Sequence, residues 1–385
     1  MVATGSDLGA IVRTCGEEFC RTHRTTAVQR KALRAISACR TPALGGQRQQ
    51  CDRCGYEHIQ WHSCRNRACP RCQSSARHAW LQSRSAELLA VPYFHVVFTV
   101  PEALNVLALH APRVFYDLLF RAAGNALSDV ARSKLSINAG TLCVLHTWGQ
   151  TLSLHPHIHC VVPGGGFSLH TGHWRMVRKP TFFLPVKVLS RHFRTLLCSS
   201  LRTAWRAADL KVPEHLLADL AALDLLLARA ATREWVVYAK APFGGPAQVL
   251  AYLANYTHRI AISNARILSF DGQHVMFRYR DYAAGNLTKT MTLAAGEFLR
   301  RFLMHVVPRR FVRIRYYGFM ANRLRATALA RARQHLASNP GDPFPAAPAQ
   351  TEPRLLLCPH CSQGFLRNSG VIDPQCAVLP YEDTS

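Results

Sequence analysis

The sequence predicts an α+β protein that begins with a small helical and cysteine-rich module. A β-branched and aromatic run, YFHVVFTV at 93–100, ends at Pro101 and is typical of a strand. Two further strand-like runs, at 140–150 and 156–166, have only a short connection and should pair antiparallel. Stretches with apolar residues at helical spacing occupy 103–134 and 185–232. Strands and helices are therefore mixed along the chain.

The remaining elements follow in order. Residues 1–50 have helical periodicity, and a compact cysteine module follows at 51–73. A strand, EWVVYAK, precedes Pro246, which fits the first position of a helix, AQVLAYLANYTHRIA. The last periodic runs are three short strands and a helix: ARILSF, HVMFRYRD, TKTMTL and AGEFLRRFLMHV.

We divide the chain into three parts on this basis. Residues 1–90 form the helical and zinc-binding module, and 91–335 form the main domain. Residues 336–385 are a linker and a tail with a CxxC pair. The stretch 338–354 is rich in Pro and Ala without periodicity, which predicts a disordered linker.

The charge of the chain indicates a polyanionic partner. There are 47 Lys and Arg against 22 Asp and Glu, a formal net charge of +25. Such an excess repels itself unless a polyanion is bound, and nucleic acid is the first candidate. No run reaches the roughly 18 apolar residues of a membrane span. The N-terminus lacks a secretion-signal pattern, so we expect a cytoplasmic protein.

A basic and aromatic segment is the strongest local candidate for nucleic-acid binding. No acidic residue lies between Glu297 and Asp342, where ten arginines occur. The run PRRFVRIRYYGFMANRLR mixes arginines with aromatic residues, which suits phosphates and stacked bases of a single strand. A solvated basic helix face is the alternative. The DNA-binding candidates here are Arg309, Arg310, Arg313, Arg315 and Arg323.

The cysteine module predicts a structural zinc site. The pairs Cys51/Cys54 and Cys69/Cys72 are two CxxC knuckles that can close a tetrahedral sulfur site. Cys64, His58 and His62 are further candidates, any of which could replace one of these four ligands. A second zinc at Cys358/Cys361 needs two more ligands, and the nearby candidates are Cys376 and His360.

A row of histidines, HPHIH at 155–159, predicts a second kind of metal site. In a strand, alternate residues share one face, so His155, His157 and His159 point the same way. A lone histidine is usually structural, but three buried in register favour a bound cation. His146 and Gln150 on the neighbouring strand are further candidates. The third ligand therefore stays open among His155, Gln150 and His146.

A tyrosine pair provides candidate nucleophiles. Tyr252 and Tyr256 are four residues apart on a predicted helix, so both hydroxyls project from one face. An aromatic stripe in a core is the structural alternative. His258 and Arg259 follow the pair and suit a phosphate, and a tyrosine can act as a covalent nucleophile.

These motifs together resemble the HUH endonucleases, and more narrowly the two-tyrosine rolling-circle transposases of insertion-sequence family ninety-one. The resemblance covers most of the chain in the expected order. The N-terminal zinc module is similar in ACRTPALGGQRQQCDRCG and SCRNRACPRCQ. The catalytic region is similar in VPYFHVVFTVPEALN, HTWGQTLSLHPHIHCVVPGGG, YLANYTHRIAISN and FVRIRYYGFMANR. The family often has His at the positions of Gln47 and Ala68.

The resemblance implies a central antiparallel sheet with flanking helices and a specific reaction. His157 and His159 match ligands of a catalytic Mg²⁺ or Mn²⁺. Tyr252 and Tyr256 match nucleophiles that attack single-stranded DNA at element ends and target, leaving a 5′-phosphotyrosine and a 3′-OH. The protein would act in the bacterial cytoplasm, at the nucleoid.

Three alternatives remain at this point. A replication initiator would use the same chemistry. A non-catalytic zinc-containing DNA-binding regulator would leave the histidines unexplained. A three-histidine metallohydrolase of small molecules would leave the charge and the tyrosines without a role.

Overall fold

A computed structural model describes residues 7–72, 80, 83–84, 87–177, 183–240, 261–282, 284–337 and 356–374. Helices and antiparallel strands occur together, which confirms the predicted α+β class. The described helices are α1 (Leu8–Thr22), α2 (Ala27–Ala38), α3 (Asn105–His110), α4 (Pro112–Leu135), α5 (Val186–Arg206), α6 (Leu220–Ala231), α7 (Ala295–Leu303) and α8 (Arg325–Ala337). The strands are β1 (Gly46–Cys51), β2 (Glu57–Trp61), β3 (Tyr93–Thr99), β4 (Ile137–Trp148), β5 (Leu154–Pro163), β6 (Gly165–Ser168), β7 (Trp174–Met176), β8 (Val237–Lys240), β9 (Ile267–Phe270), β10 (His274–Asp281), β11 (Leu287–Ala294), β12 (Ile314–Gly318) and β13 (Leu366–Ile372).

A seven-stranded antiparallel sheet forms the centre of the molecule. Its strand order is β7-β6-β4-β5-β3-β8, and β12 also pairs with β4. Residues 142–144 of β4 pair with both β5 and β12, so these two strands lie on opposite edges of β4, while β6 follows β5 in the chain and pairs with the start of β4. β5 lies between β4 and β3, so both of its edges are hydrogen-bonded.

The helices α4 and α5 cover one face of this sheet. Ile158 and Cys160 of β5 are fully buried there in the largest hydrophobic cluster, which also contains Phe98, Phe115 and Phe193. These alternate residues of β5 face the core as the sequence predicts. The histidines between them must then project from the opposite face.

The N-terminal helices pack against a second β-unit rather than forming a separate core. Asp7 caps α1 and Thr26 forms a capping box with Gln29 on α2, which explains where both helices begin. Their apolar faces share one cluster with the sheet β11-β10-β9 and helix α7. Gln29 also donates to the carbonyl of Leu303 at 3.0 Å. This cluster therefore crosses the predicted boundary at residue 90.

The tail returns to the cysteine module. Strand β13 pairs antiparallel with β1, which in turn pairs with β2. Part of the predicted segment 336–385 thus extends the module's sheet, whereas the predicted linker at 338–354 lies outside the described residues. The same is true of the helix predicted after Pro246.

The predicted helical stretch 185–232 is two helices in the structure. α5 ends at Arg206, and Ala208 has a positive φ of 56° that reverses the chain. Pro213 follows, and α6 begins only after Asp219 caps it. Leu/Ala periodicity alone did not reveal this break.

Gly124 lies where α4 meets the ring of Tyr317 on β12. A Cβ at this position would lie 2.7 Å from the Tyr317 ring. Gly124→Ala should therefore lower the free energy of unfolding by about 1–3 kcal/mol, although alanine favours helices by about 1 kcal/mol. Gly296 on α7 is the matched control, because a Cβ there meets nothing within 4 Å. Urea unfolding should show Gly296→Ala at least as stable as the parent; equal effects of both changes would contradict the packing argument.

Candidate metal centre, cysteine clusters and basic cavity

The pairing of β4 with β5 brings three histidines together on the sheet face opposite α4 and α5. His146 lies opposite His157, and His159 lies opposite Val144 on one side and Val97 on the other. Side chains of directly paired residues and of residues two apart are neighbours on one face of a sheet. The register therefore makes His146 a neighbour of both histidines of β5.

The three imidazoles form a compact ligand set. One ring nitrogen from each of His146, His157 and His159 lies within 4.8 Å of the others, and ring centroids are 4.3–5.3 Å apart. Three nitrogen donors fit a divalent ion and leave coordination positions open for a substrate. Of the three candidates for the third position, His146 is the one that the structure brings together with His157 and His159.

The other two candidates lie outside this set. The side chain of His155 is exposed, and its carbonyl instead accepts a hydrogen bond from Nδ1 of His157 at 2.6 Å. That bond fixes the tautomer of His157 and leaves Nε2 as its ligand atom. Gln150 lies in the turn between the strands, where its amide donates to the hydroxyl of Tyr282 at 3.2 Å.

Two neighbours of the ligand set were not found from the sequence. Nε2 of His95 lies 2.8 Å from Nδ1 of His159, and the indole of Trp148 stacks on His146 with ring centroids 4.5 Å apart. His95 lies on the same face as Val97, two residues away, which pairs with His159. Strand alternation within YFHVVFTV was the signal that could have identified it.

Burial keeps the imidazoles of His157 and His159 neutral. It lowers the pKa of His157 to about 4, and burial and then the charges of His146, His157 and His95 hold the pKa of His159 well below its usual value. A neutral imidazole is the form that binds a metal ion.

The turn between β4 and β5 is anchored to the second hydrophobic cluster. Leu152 adopts a positive φ of 62° and is fully buried there. Nε2 of the buried His305 donates to the Leu152 carbonyl at 3.1 Å, so Nδ1 of His305 accepts from the Thr147 hydroxyl, also at 3.1 Å. Burial lowers the pKa of His305 to about 4, which suits this structural role.

The cysteines of the module form two clusters, which differs from the predicted single site. Cys69 and Cys72 lie with Cys39 and Cys64. The sulfur of Cys72 is 3.5 Å from the sulfur of Cys39 and 3.5 Å from that of Cys64. Hydrogen bonds from Cys64 and then Cys69 lower the pKa of the Cys39 thiol to about 2. A thiolate within a set of four sulfurs suits structural zinc.

The second cluster joins distant parts of the chain. Cys51 and Cys54 lie with Cys358 and Cys361. The reason is the pairing of β1 with β13, in which Cys51 lies opposite Leu366 and the tail knuckle folds over the module. His360 is not a ligand here, since its ring stacks on Tyr56, and Cys376 lies outside the described residues. The predicted set of Cys51, Cys54, Cys69 and Cys72 is thus divided between two sites.

A basic cavity of about 740 Å³ lies between the module and the main domain. Its walls come from α2, the loop around Cys64 and residues 306–310. The cations on these walls are Lys31, Arg34, Arg65, Arg67, Arg309 and Arg310. Arg309 and Arg310 are exposed, and an array of cations with accessible heads suits phosphates.

The other predicted DNA-binding arginines differ in their surroundings. Arg315 pairs with Asp117, and its guanidinium lies 4.4 Å from the Phe120 ring and 5.0 Å from the Phe311 ring. Burial lowers the pKa of Arg313 to about 10. Arg323 is exposed. Arg259, together with Tyr252 and Tyr256, lies outside the described residues.

Among the described helices, none has the length and apolar character needed to cross a bilayer.

Comparison with known proteins gives the family. One family model, described as "Putative transposase", matches residues 140–328, and another, "Transposase zinc-binding domain", matches residues 11–100. A Sinorhizobium fredii protein described as "Putative transposase y4qJ" is 45% identical over 98% of this chain and 99% of that protein. The "Transposase for insertion sequence element IS801" of Pseudomonas savastanoi pv. phaseolicola is 27% identical over 91% of this chain and 82% of that protein.

The zinc-binding match and the sulfur clusters together support Zn²⁺ as a structural metal of the N-terminal module. The chain therefore belongs to the transposases of insertion-sequence family ninety-one type, whose substrate is DNA.

Proposed function

We propose that this transposase nicks single-stranded DNA and transfers the cut strand through a tyrosine-linked intermediate. The observation that carries the proposal is the ligand set of His146, His157 and His159 on the face of the central sheet opposite α4 and α5. These imidazoles would hold a divalent ion, which would supply Lewis-acid polarisation of the scissile phosphate. Mn²⁺ suits three nitrogen ligands better than Mg²⁺, which prefers oxygen.

The reaction conserves the energy of the broken bond. A tyrosine hydroxyl loses its proton as its oxygen attacks phosphorus, the phosphorus–O3′ bond breaks, and the leaving 3′ oxygen takes up a proton. The DNA is left with a free 3′-OH and a 5′-phosphotyrosine. Attack of a 3′-OH on this linkage reverses the chemistry and joins strands without a nucleotide cofactor. The two tyrosines, Tyr252 and Tyr256, allow two such transfers in succession.

The connections of the segment that carries the tyrosines support this assignment. The described chain reaches Lys240 at the end of β8, opposite His95 on β3. It resumes at Ala261 and Ile262, which are buried in the same cluster as Leu152 of the β4–β5 turn. The chain therefore enters the segment 241–260 beside His95 on β3 and leaves it in the hydrophobic cluster that contains Leu152 of the β4–β5 turn.

The basic cavity supports a path for the DNA strand. Arg309 and Arg310 of the main domain share it with Lys31, Arg34 and Arg65 of the module. Electrostatic binding along a strand needs cations spaced over several phosphates, and this arrangement offers them across two parts of the molecule. We assign phosphate contacts to Arg309 and Arg310, and a structural role to Arg315.

The histidine set also separates this proposal from its rivals. A DNA-binding regulator has no use for three buried imidazoles with open coordination positions. A small-molecule metallohydrolase has no use for the basic cavity, and the relatives named as transposases favour strand transfer over replication initiation.

The purified chain with Mn²⁺ should cleave single-stranded DNA from the ends of its own element. A protein–DNA adduct should appear on denaturing gels, and it should vanish in Tyr252→Phe/Tyr256→Phe because both nucleophiles are gone. When the scissile phosphate carries the label, the label should be found on a peptide after the adduct is digested with a protease. Persistence of the adduct in the double variant would sink the tyrosine assignment.

His146→Ala should lower Mn²⁺ affinity by at least about tenfold and abolish cleavage. Mutating a residue that only supports a metal ligand already lowers affinity by about tenfold or more, and removing the ligand itself should lower it at least as much. His155→Ala is the matched control, since its side chain is exposed and its carbonyl is retained. Titration calorimetry with Mn²⁺ measures both. If His155→Ala were as damaging as His146→Ala, the third ligand would be misassigned.

Arg309→Gln/Arg310→Gln should weaken binding to single strands of any sequence. Each lost phosphate contact lowers the slope of log K against log salt by about 0.7, so the double variant should lose about 1.4. Arg315→Gln should instead leave the slope unchanged and lower stability by about 1 kcal/mol, because it removes an ion pair and ring stacking. Fluorescence anisotropy at several salt concentrations separates the two; an equal loss of slope in both would refute the division of roles.

A further inference from the structure

The tail contains two cysteines that neither matched family region includes. Cys358 and Cys361 lie beyond the matched spans 11–100 and 140–328, yet the structure places them against Cys51 and Cys54. We propose that these four thiols hold one zinc ion, separate from that of the Cys39 cluster, and that this ion clamps the C-terminal tail to the N-terminal zinc-binding domain.

The sulfur–sulfur distances fit a shared ion and not disulfides. The sulfurs of Cys51 and Cys361 are 3.7 Å apart, as are those of Cys54 and Cys358. A disulfide would bring such a pair to about 2.05 Å. Four thiolates at about 2.3 Å from a tetrahedral zinc ion lie about 3.8 Å from one another. Each close pair here joins one sulfur of the module to one of the tail.

Both knuckles direct backbone N–H groups at sulfur. The amide of Arg53 lies 3.4 Å from the sulfur of Cys51, and the amide of Gly364 lies 3.3 Å from that of Cys361. Such contacts stabilise thiolates that bind a metal. Gly364 also has to be a glycine, because a Cβ there would lie 2.5 Å from the sulfur of Cys51. The tail knuckle is therefore shaped to approach the module's sulfur closely.

Polar contacts fix the register of the two knuckles. The carboxylate of Asp52, between Cys51 and Cys54, accepts from the amide of Phe365 at 2.8 Å. The same carboxylate pairs with Arg367 at 2.9 Å. These contacts hold the turn of the module against the strand that follows the tail knuckle.

Apolar packing alone is too small to hold the tail. The local cluster contains the buried residues Cys51, Cys358 and Leu366, with half-buried Cys361 beside them. Most side chains of β13 are exposed. One buried leucine does not compensate the entropy lost when a strand is ordered, whereas small metal domains obtain their folding free energy from the ion.

The consequence is a chain closed on itself. The ion would link positions 304 residues apart in sequence, Cys54 and Cys358, so the zinc-binding domain would have a second connection to the main domain through the tail. A second tether restricts where the domain can move relative to the catalytic sheet.

The test is the zinc content of the full-length chain, measured by atomic emission in a His157→Ala/His159→Ala background, so that an ion at the histidines is not counted. The parent should hold two ions. Cys358→Ser/Cys361→Ser and Cys51→Ser/Cys54→Ser should each hold one, and the quadruple variant should still hold one. Adding Cys69→Ser/Cys72→Ser to the tail variant should leave none.

Cys15→Ser/Cys20→Ser is the matched control, because these half-buried cysteines belong to neither cluster, and it should keep two ions. The single change Cys361→His keeps Cys358 and replaces one zinc ligand by another. This variant should hold two ions, whereas a variant whose fold was merely damaged would not. The proposal would be overturned if Cys358→Ser/Cys361→Ser held two ions or none. It would also be overturned if adding Cys51→Ser/Cys54→Ser to that variant removed a further ion.

Discussion

The antiparallel register between β4 and β5 is the constraint on which the candidate metal centre depends. It places His146 opposite His157 and sets His159 two residues further along. Because side chains alternate, the same register buries Ile158 and Cys160 against the helices. A slip of one residue would exchange the two sets, putting imidazoles into the apolar core. Hydrophobic burial on one face therefore fixes the ligand geometry on the other, and the anchored Leu152 turn prevents the strands from sliding.

The histidine face is costly without a ligand. Neutral imidazoles packed at ring distances of 4.3–5.3 Å must satisfy their nitrogens among themselves or with backbone carbonyls. The His95–His159 and His157–His155 contacts do part of this and set tautomers at the same time. A cation at the proposed ligand set would bind the nitrogens that face it. The rigidity of this set comes from the central position of β5, which is paired along both edges.

The sequence predicted what depends on local pattern, and missed what depends on long-range pairing. Alternation in YFHVVFTV and HPHIH gave the strands and the shared face, and CxxC spacing gave the knuckles. The partners of each knuckle were wrong, because β1 pairs with a strand more than three hundred residues away. His146 remained one of three candidates because the turn length decides which residue faces His157. Composition equally could not show that Arg315 pairs with Asp117 and packs on two phenylalanine rings, whereas Arg309 lines the cavity.

The first zinc cluster and the basic cavity are one structure. Cys64 is both a member of that cluster and part of the cavity wall, and Arg65 to Arg67 follow it directly. Arg67 points back to the main domain, where it donates to the carbonyls of Phe311 at 2.6 Å and Val307 at 3.1 Å. Arg310, which also lines the cavity, lies in this 307–311 segment and has a positive φ of 59°. A zinc ion in this cluster would order a short loop, and that loop holds the 307–311 segment in place through Arg67. The cations of the cavity would then be preorganised, which lowers the entropy cost of the phosphate contacts proposed for Arg309 and Arg310.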